Sequence, residues 1–121
     1  MDIESARLYC LAKEYATEDM PFGDDYVVFR IGGKIFAGLP LSMPGLLVLK
    51  CDPAVFDEMT ERYAAIQQAW HWHKRHWMQI QLDSPSITDE LVCRLTDEAY
   101  ALVRSKLTRK VRESLGKPPF A

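Results

Sequence analysis

The sequence predicts an α+β fold, with helices packed on a mostly antiparallel four-stranded sheet in the order α-β-β-β-α-β-α. Three observations predict it. A Gly32-Gly33 turn joins two β-branched and aromatic runs into a hairpin. A nearly continuous apolar run, Leu46 to Lys50, follows directly as a third strand. Helical apolar spacing then appears near both ends of the chain and once between strands.

Each element has a local cause. Asp2 is placed to cap a first helix, in which Leu8, Leu11, Ala12 and Tyr15 recur at helical spacing and are expected to face inward. Residues 16–25 contain Pro21-Phe22-Gly23 and read as a loop, with the carboxylate pairs Glu18/Asp19 and Asp24/Asp25 solvated beside it. Tyr26 to Ile31 and Lys34 to Leu41 form the hairpin, since Gly supplies the two positive-φ positions of a tight turn. Asp52-Pro53 is an N-cap followed by proline at the first helical position. It starts a helix to about Tyr63 with Val55, Phe56, Met59 and Tyr63 inward. Met78, Ile80 and Leu82 alternate with Trp77, Gln79 and Gln81, which predicts a half-covered strand. Ser84-Pro85 ends it. Ser86 or Thr88 caps a long last helix with Leu91, Leu95, Ala99 and Leu102 in register and a basic end.

The 121 residues fit one domain, expected over 1–117 with a frayed tail over 118–121. The start is acidic, and no stretch approaches a membrane span, so a cytoplasmic protein with no membrane partner is expected. Cys10, Cys51 and Cys93 match no zinc or redox spacing and read as buried thiols. Net charge is −2, divided between an acidic part (residues 1–70, −5) and a basic part (71–121, +3). An anionic partner is therefore expected on the C-terminal part.

The most unusual stretch is Trp70-His71-Trp72-His73-Lys74-Arg75-His76-Trp77, which holds every Trp and His of the chain. A core would use aliphatic residues there, and a solvated loop would use Ser, Gly and Asn. His71 and His73 can share a strand face and His73 and His76 a helix face, but no regular structure aims all three at one point. With no Cys, Asp or Glu in the octet, no metal ligands and no cofactor are expected. There is no nucleophile elbow, HExxH or phosphate-binding glycine loop, so no catalytic residues are assigned and an enzyme is disfavoured.

Six segments occur in order: Cys10-Leu11-Ala12-Lys13, Ala16-Thr17-Glu18-Asp19, Pro21-Phe22-Gly23, Phe29 to Ala37, Leu49-Lys50-Cys51-Asp52-Pro53 and Lys74-Arg75-His76-Trp77. Over about Ile3 to Arg112 they resemble the MmcQ/YjbR-like family of small bacterial cytoplasmic proteins. The resemblance implies the α-β-β-β-α-β-α fold, likened to secretion-chaperone-like proteins, and a DNA-binding label resting on a "double wing" shape. It implies no reaction. The family pattern at the octet is His-Leu-Asn-Lys-x-His-Trp. His71, Lys74, His76 and Trp77 match it, whereas Trp72 and His73 stand where the Leu and Asn would be.

Three functions follow. The leading expectation is a nucleic-acid-binding protein, with DNA as the expected partner, that contacts the backbone and stacks on bases. Its candidate residues are the octet Trp70, His71, Trp72, His73, Lys74, Arg75, His76 and Trp77, with Lys34 at the hairpin tip and Arg109, Lys110 and Arg112 extending the strip. The second is a protein-interaction or chaperone-like module, in its simplest form a homodimer through the open sheet face. The third is a small-ligand binder or enzyme using a pocket between Phe22, His76 and Trp77.

Overall fold

The computed structural model describes residues 1–116, so residue 117 and the tail expected over 118–121 lie outside the described residues. In chain order the elements are α1 (Ile3–Leu11), β1 (Thr17–Asp19), β2 (Tyr26–Ile31), β3 (Lys34–Pro40), β4 (Leu46–Lys50), α2 (Pro53–Arg62), β5 (Ile66–Gln68), β6 (Trp77–Gln81), α3 (Asp89–Ser105) and α4 (Arg109–Ser114). The strands form one antiparallel sheet in the order β1-β2-β3-β4-β6-β5. The architecture is α+β, as the sequence predicts.

The sheet has six strands where four were expected. The two additions, β1 and β5, close its edges with three residues each. Three residues are too few to show an alternation, so nothing local marks them as strands. β1 owes its place to pairing with β2, reinforced by Arg7 on Glu18 and Arg30 on Asp19. These two acids are thus paired, not freely solvated.

The helix starts follow their caps. Asp2 accepts from the Ser5 amide, Asp52 from the Ala54 and Val55 amides with Pro53 in the first turn, and Thr88 from the Leu91 amide. α1 turns a different face inward from the one expected. Ala6 and Cys10 are buried, whereas Leu8 is 56% exposed and Ala12 and Tyr15 are also exposed. The helix ends at Leu11, and Tyr15 lies beyond it at φ 62°. Small Ala6 and Cys10 let the helix settle close to the sheet, so size decided the buried face as much as apolarity did. The long last helix is also two: α3 ends at Ser105, and the Thr108 hydroxyl caps α4 by accepting from the Val111 amide. Cys10 and Cys51 are buried as expected, but Cys93 is only half-buried.

The core lies between the helices and one sheet face. Phe29, Phe36, Leu47, Leu49, Met78 and Ile80 meet Met59 of α2 and Val92, Leu95 and Ala99 of α3. The β2–β3 register shifts between Phe29 and Arg30, whose partners are Ala37 and Ile35. Phe36, skipped in the pairing, joins Ala37 in the core, and Ile35 goes to the opposite face. That opposite face has only a small cluster of its own: Val48, Ala69 and Trp77, with Tyr26, Ile35 and Trp72 packed against it.

Candidate functional site

The register places Lys50 opposite Trp77 and Val48 opposite Gln79 on the face that no helix core covers. The segment from Trp70 to His76 arches over this face. It is a loop, neither strand nor helix, and His71 and Arg75 hold positive φ angles of 69° and 64°. One side chain closes it: the Gln68 amide donates to the Ala69 (2.9 Å) and Trp72 (3.2 Å) carbonyls and accepts from the Arg75 amide (2.9 Å). Arg75 also grips Asp57 of α2 through two hydrogen bonds.

The three indoles have different fates. Trp77 is only 8% exposed, because Trp72 packs over it at 4.3 Å between ring centroids. Trp72 is fixed in turn by a 3.0 Å hydrogen bond from its Nε1 to the Tyr26 hydroxyl. Tyr26 lies across Gly38, where a Cβ would come within 2.7 Å of its ring, so this strand position needs a glycine. Trp70 is 68% exposed and stacks on His71 at 4.4 Å.

Trp72 borders two grooves. The first, about 480 Å³, is lined by Arg30, Lys34, Lys50 and Lys106, with Ile35, Trp72, Trp77 and Val103, and no acidic side chain lines it among the described residues. Arg30 is neutralised by Asp19. Lys50 lies over the Trp77 ring at 5.1 Å. Partial burial, then repulsion from Lys106, holds its ammonium below the usual lysine pKa. The second groove, about 490 Å³, is mostly apolar, and its lining includes Phe22, Tyr26, Pro40, Met43, Trp70 and Trp72.

The expected site residues are therefore only partly brought together. Lys34, Trp72 and Trp77 meet in the basic groove, and Trp70, His71 and Trp72 in the apolar one. Lys74 is exposed within the loop, and the cation of Arg75 is already paired with Asp57. His73 and His76 face each other at 4.8 Å. Desolvation, then Lys50, His73, Lys106 and Arg75, lowers the His76 pKa and favours its neutral ring. Arg109, Lys110 and Arg112 stand on α4. This helix packs beneath the hairpin tip, since a Cβ on Gly32 would meet Val111 at 2.8 Å, but none of the three lines the basic groove. Arg109 pairs with Glu113.

Among the described residues, the two grooves beside Trp72 do not bring Phe22, His76 and Trp77 together: Phe22 lines one and Trp77 the other. Trp72 stands against both Phe22, at 6.2 Å, and Trp77, and His76 does not line the groove that contains Phe22. Sequence reasoning left Lys50, Lys106 and Arg30 outside the site. A signal existed for Lys50, the one charge in an apolar strand and two residues from outward-facing Val48.

Comparison with known proteins agrees with this architecture. The chain is 29% identical over 109 residues to YbdF of Escherichia coli O157:H7, an alignment covering 88% of each chain. The crystal structure of a Deinococcus radiodurans protein with a DUF419 domain superposes with a TM-score of 0.85 at 29% identity, covering 97% of this chain and 89% of that one. A Pseudomonas syringae protein shares the fold at 23% identity and a TM-score of 0.70, over 85% of this chain and 99% of that one. The YjbR family model matches residues 11–102, and the chain belongs to the YjbR family.

Proposed function

We propose that this chain binds nucleic acid, laying phosphates in the basic groove of the open sheet face. One observation carries the reading: Lys34, Lys50 and Lys106 converge beside two indoles, with no carboxylate among the described residues that line the groove. Ordinary solvated faces mix the two signs of charge. Here the cations are gathered against low-polarity walls, which strengthens their field on an incoming anion. A phosphate beside Lys50 would also relieve its repulsion with Lys106. The net charge of −2 supplies no long-range attraction, so binding rests on these local contacts and weakens steeply with salt.

Titration of labelled single- and double-stranded oligonucleotides at about 50 and 200 mM salt tests this. Three to four phosphate contacts give a log-log slope near −3 on duplex. Lys50→Gln and Lys106→Gln are each expected to reduce that slope by about 1. Absence of binding to either form at micromolar protein in low salt overturns the reading. A protein-interaction module, including a homodimer, is the second reading. It draws on the apolar groove and its exposed Phe22, Met43 and Trp70, and its homodimer form requires an assembly larger than 13.9 kDa in light scattering.

A further inference from the structure

We infer that the apolar groove on the far side of Trp72 is a subsite for unpaired nucleobases, making the chain selective for single-stranded over duplex nucleic acid. The inference rests on the phosphate-binding reading of the neighbouring basic groove and names the form of nucleic acid that the site accepts.

The two grooves share Trp72 as a wall. One is cationic and the other is bordered by aromatic rings, the two halves that a strand of alternating phosphate and base requires. Phe22 is 59% exposed and Trp70 68% exposed, although both are large apolar residues. His71 stacks on one face of the Trp70 indole, and the exposure leaves the other to solvent. Phe22 stands edge-on to both Tyr26 and Trp72, at 6.1 and 6.2 Å, so it is held in place while still open. Ser42 and His71 add hydrogen-bonding groups to an otherwise apolar lining. By contrast, Trp77, the indole that matches the family pattern, is covered and cannot stack on a base.

Selectivity follows from charge density and access. A duplex carries about one charge per 1.7 Å, so a site that is only electrostatic prefers it. A duplex also hides its base faces, and aromatic rings gain nothing from it. A site using rings as well as cations therefore reverses the electrostatic order.

The test is fluorescence anisotropy with labelled oligothymidylate and oligouridylate of about a dozen nucleotides, against a duplex of equal length. Wild-type protein is expected to bind a single strand at least about tenfold more tightly than the duplex, and the two single-strand arms decide between DNA and RNA. Trp70→Ala and Phe22→Ala are each expected to weaken single-strand binding about tenfold and leave duplex binding unchanged. Both side chains are exposed, so the variants keep the wild-type fold, checked by circular dichroism. Duplex binding equal to or tighter than single-strand binding, with neither variant changing it, overturns this inference and leaves the phosphate-groove reading standing. Loss of all binding in Lys50→Gln, with the aromatic variants inert, does the same. No binding of any oligonucleotide by the wild type overturns both. A dimer that Phe22→Ala or Trp70→Ala dissolves, with oligothymidylate failing to compete, assigns the groove to a second copy of the chain and overturns the inference.

Discussion

On the helix-covered face of the sheet, Leu47, Leu49, Met78 and Ile80 each keep no more than 1% of their surface. On the opposite face, Lys50 and Gln79 of the same two strands remain partly open beside a single loop. The strands are shared, so backbone hydrogen bonding does not distinguish the faces. What differs is how each covering layer is held. Helices cover one face by continuous apolar burial. The loop covers the other by a few directed contacts: an amide, an indole N–H and an ion pair. The first arrangement supplies stability, and the second leaves room for grooves.

Disrupting either layer tests that contrast. Phe36→Ala is expected to have the largest effect, about 3–5 kcal/mol of destabilisation, because Phe36 is fully buried and packs edge-on to Tyr100 at 5.4 Å. Urea denaturation measures it. Trp72→Ala on the open face is expected to cost less, about 2 kcal/mol, since that ring is only partly buried. It should, however, expose Trp77 and red-shift the fluorescence. A Trp72 variant as damaging as the Phe36 variant would mean that the loop is part of the core. Gln68→Ala is expected to cost about 1–2 kcal/mol by releasing three hydrogen bonds, with faster amide exchange confined to the loop.

Smaller effects are expected from charge. Lys50→Met should stabilise the fold slightly while weakening anion binding. The folded-state pKa of Lys50 lies below 10.5, so its charged form is disfavoured at neutral pH and the penalty fades only as pH rises through that lowered pKa. His76 follows the same logic lower on the scale. Its folded pKa lies below 6.5, so the unfolded chain binds the proton more readily. Stability from this group is complete above about pH 6.5 and declines as pH falls through the folded value. His76→Gln should flatten that part of the pH–stability curve. The smallest effect belongs to Arg75 and Asp57, both more than half exposed, whose coupling in a double-mutant cycle should vanish at high salt.

Periodicity made the helix-covered face legible. Met78-Gln79-Ile80-Gln81-Leu82 and the Gly32-Gly33 hairpin lie where the sequence predicts them, as do α2 and the start of α3. The exceptions have physical causes. β1 and β5 are too short to carry a pattern, and the break after Ser105 falls inside a basic, polar stretch with no proline or glycine to mark it. The open face was legible only as composition. The octet's mixture of indoles, imidazoles and cations marked it as unusual, but not as the cover of that face. Which indole is buried depends on Trp72 reaching Tyr26, 46 positions earlier in the chain. The cations of the basic groove come from β2, β3, β4 and the end of α3, and no local window contains them together.

The two outermost strands have a consequence for how copies of this molecule meet. A sheet margin is an adhesive seam, because its unused amides and carbonyls can zip onto another chain. Here each seam is three residues long, and the β1 seam carries Glu18 and Asp19, whose carboxylates are tied to Arg7 and Arg30. Short margins, one of them charged, resist open-ended fibre growth, so an extended, ladder-like polymer is disfavoured even at high concentration.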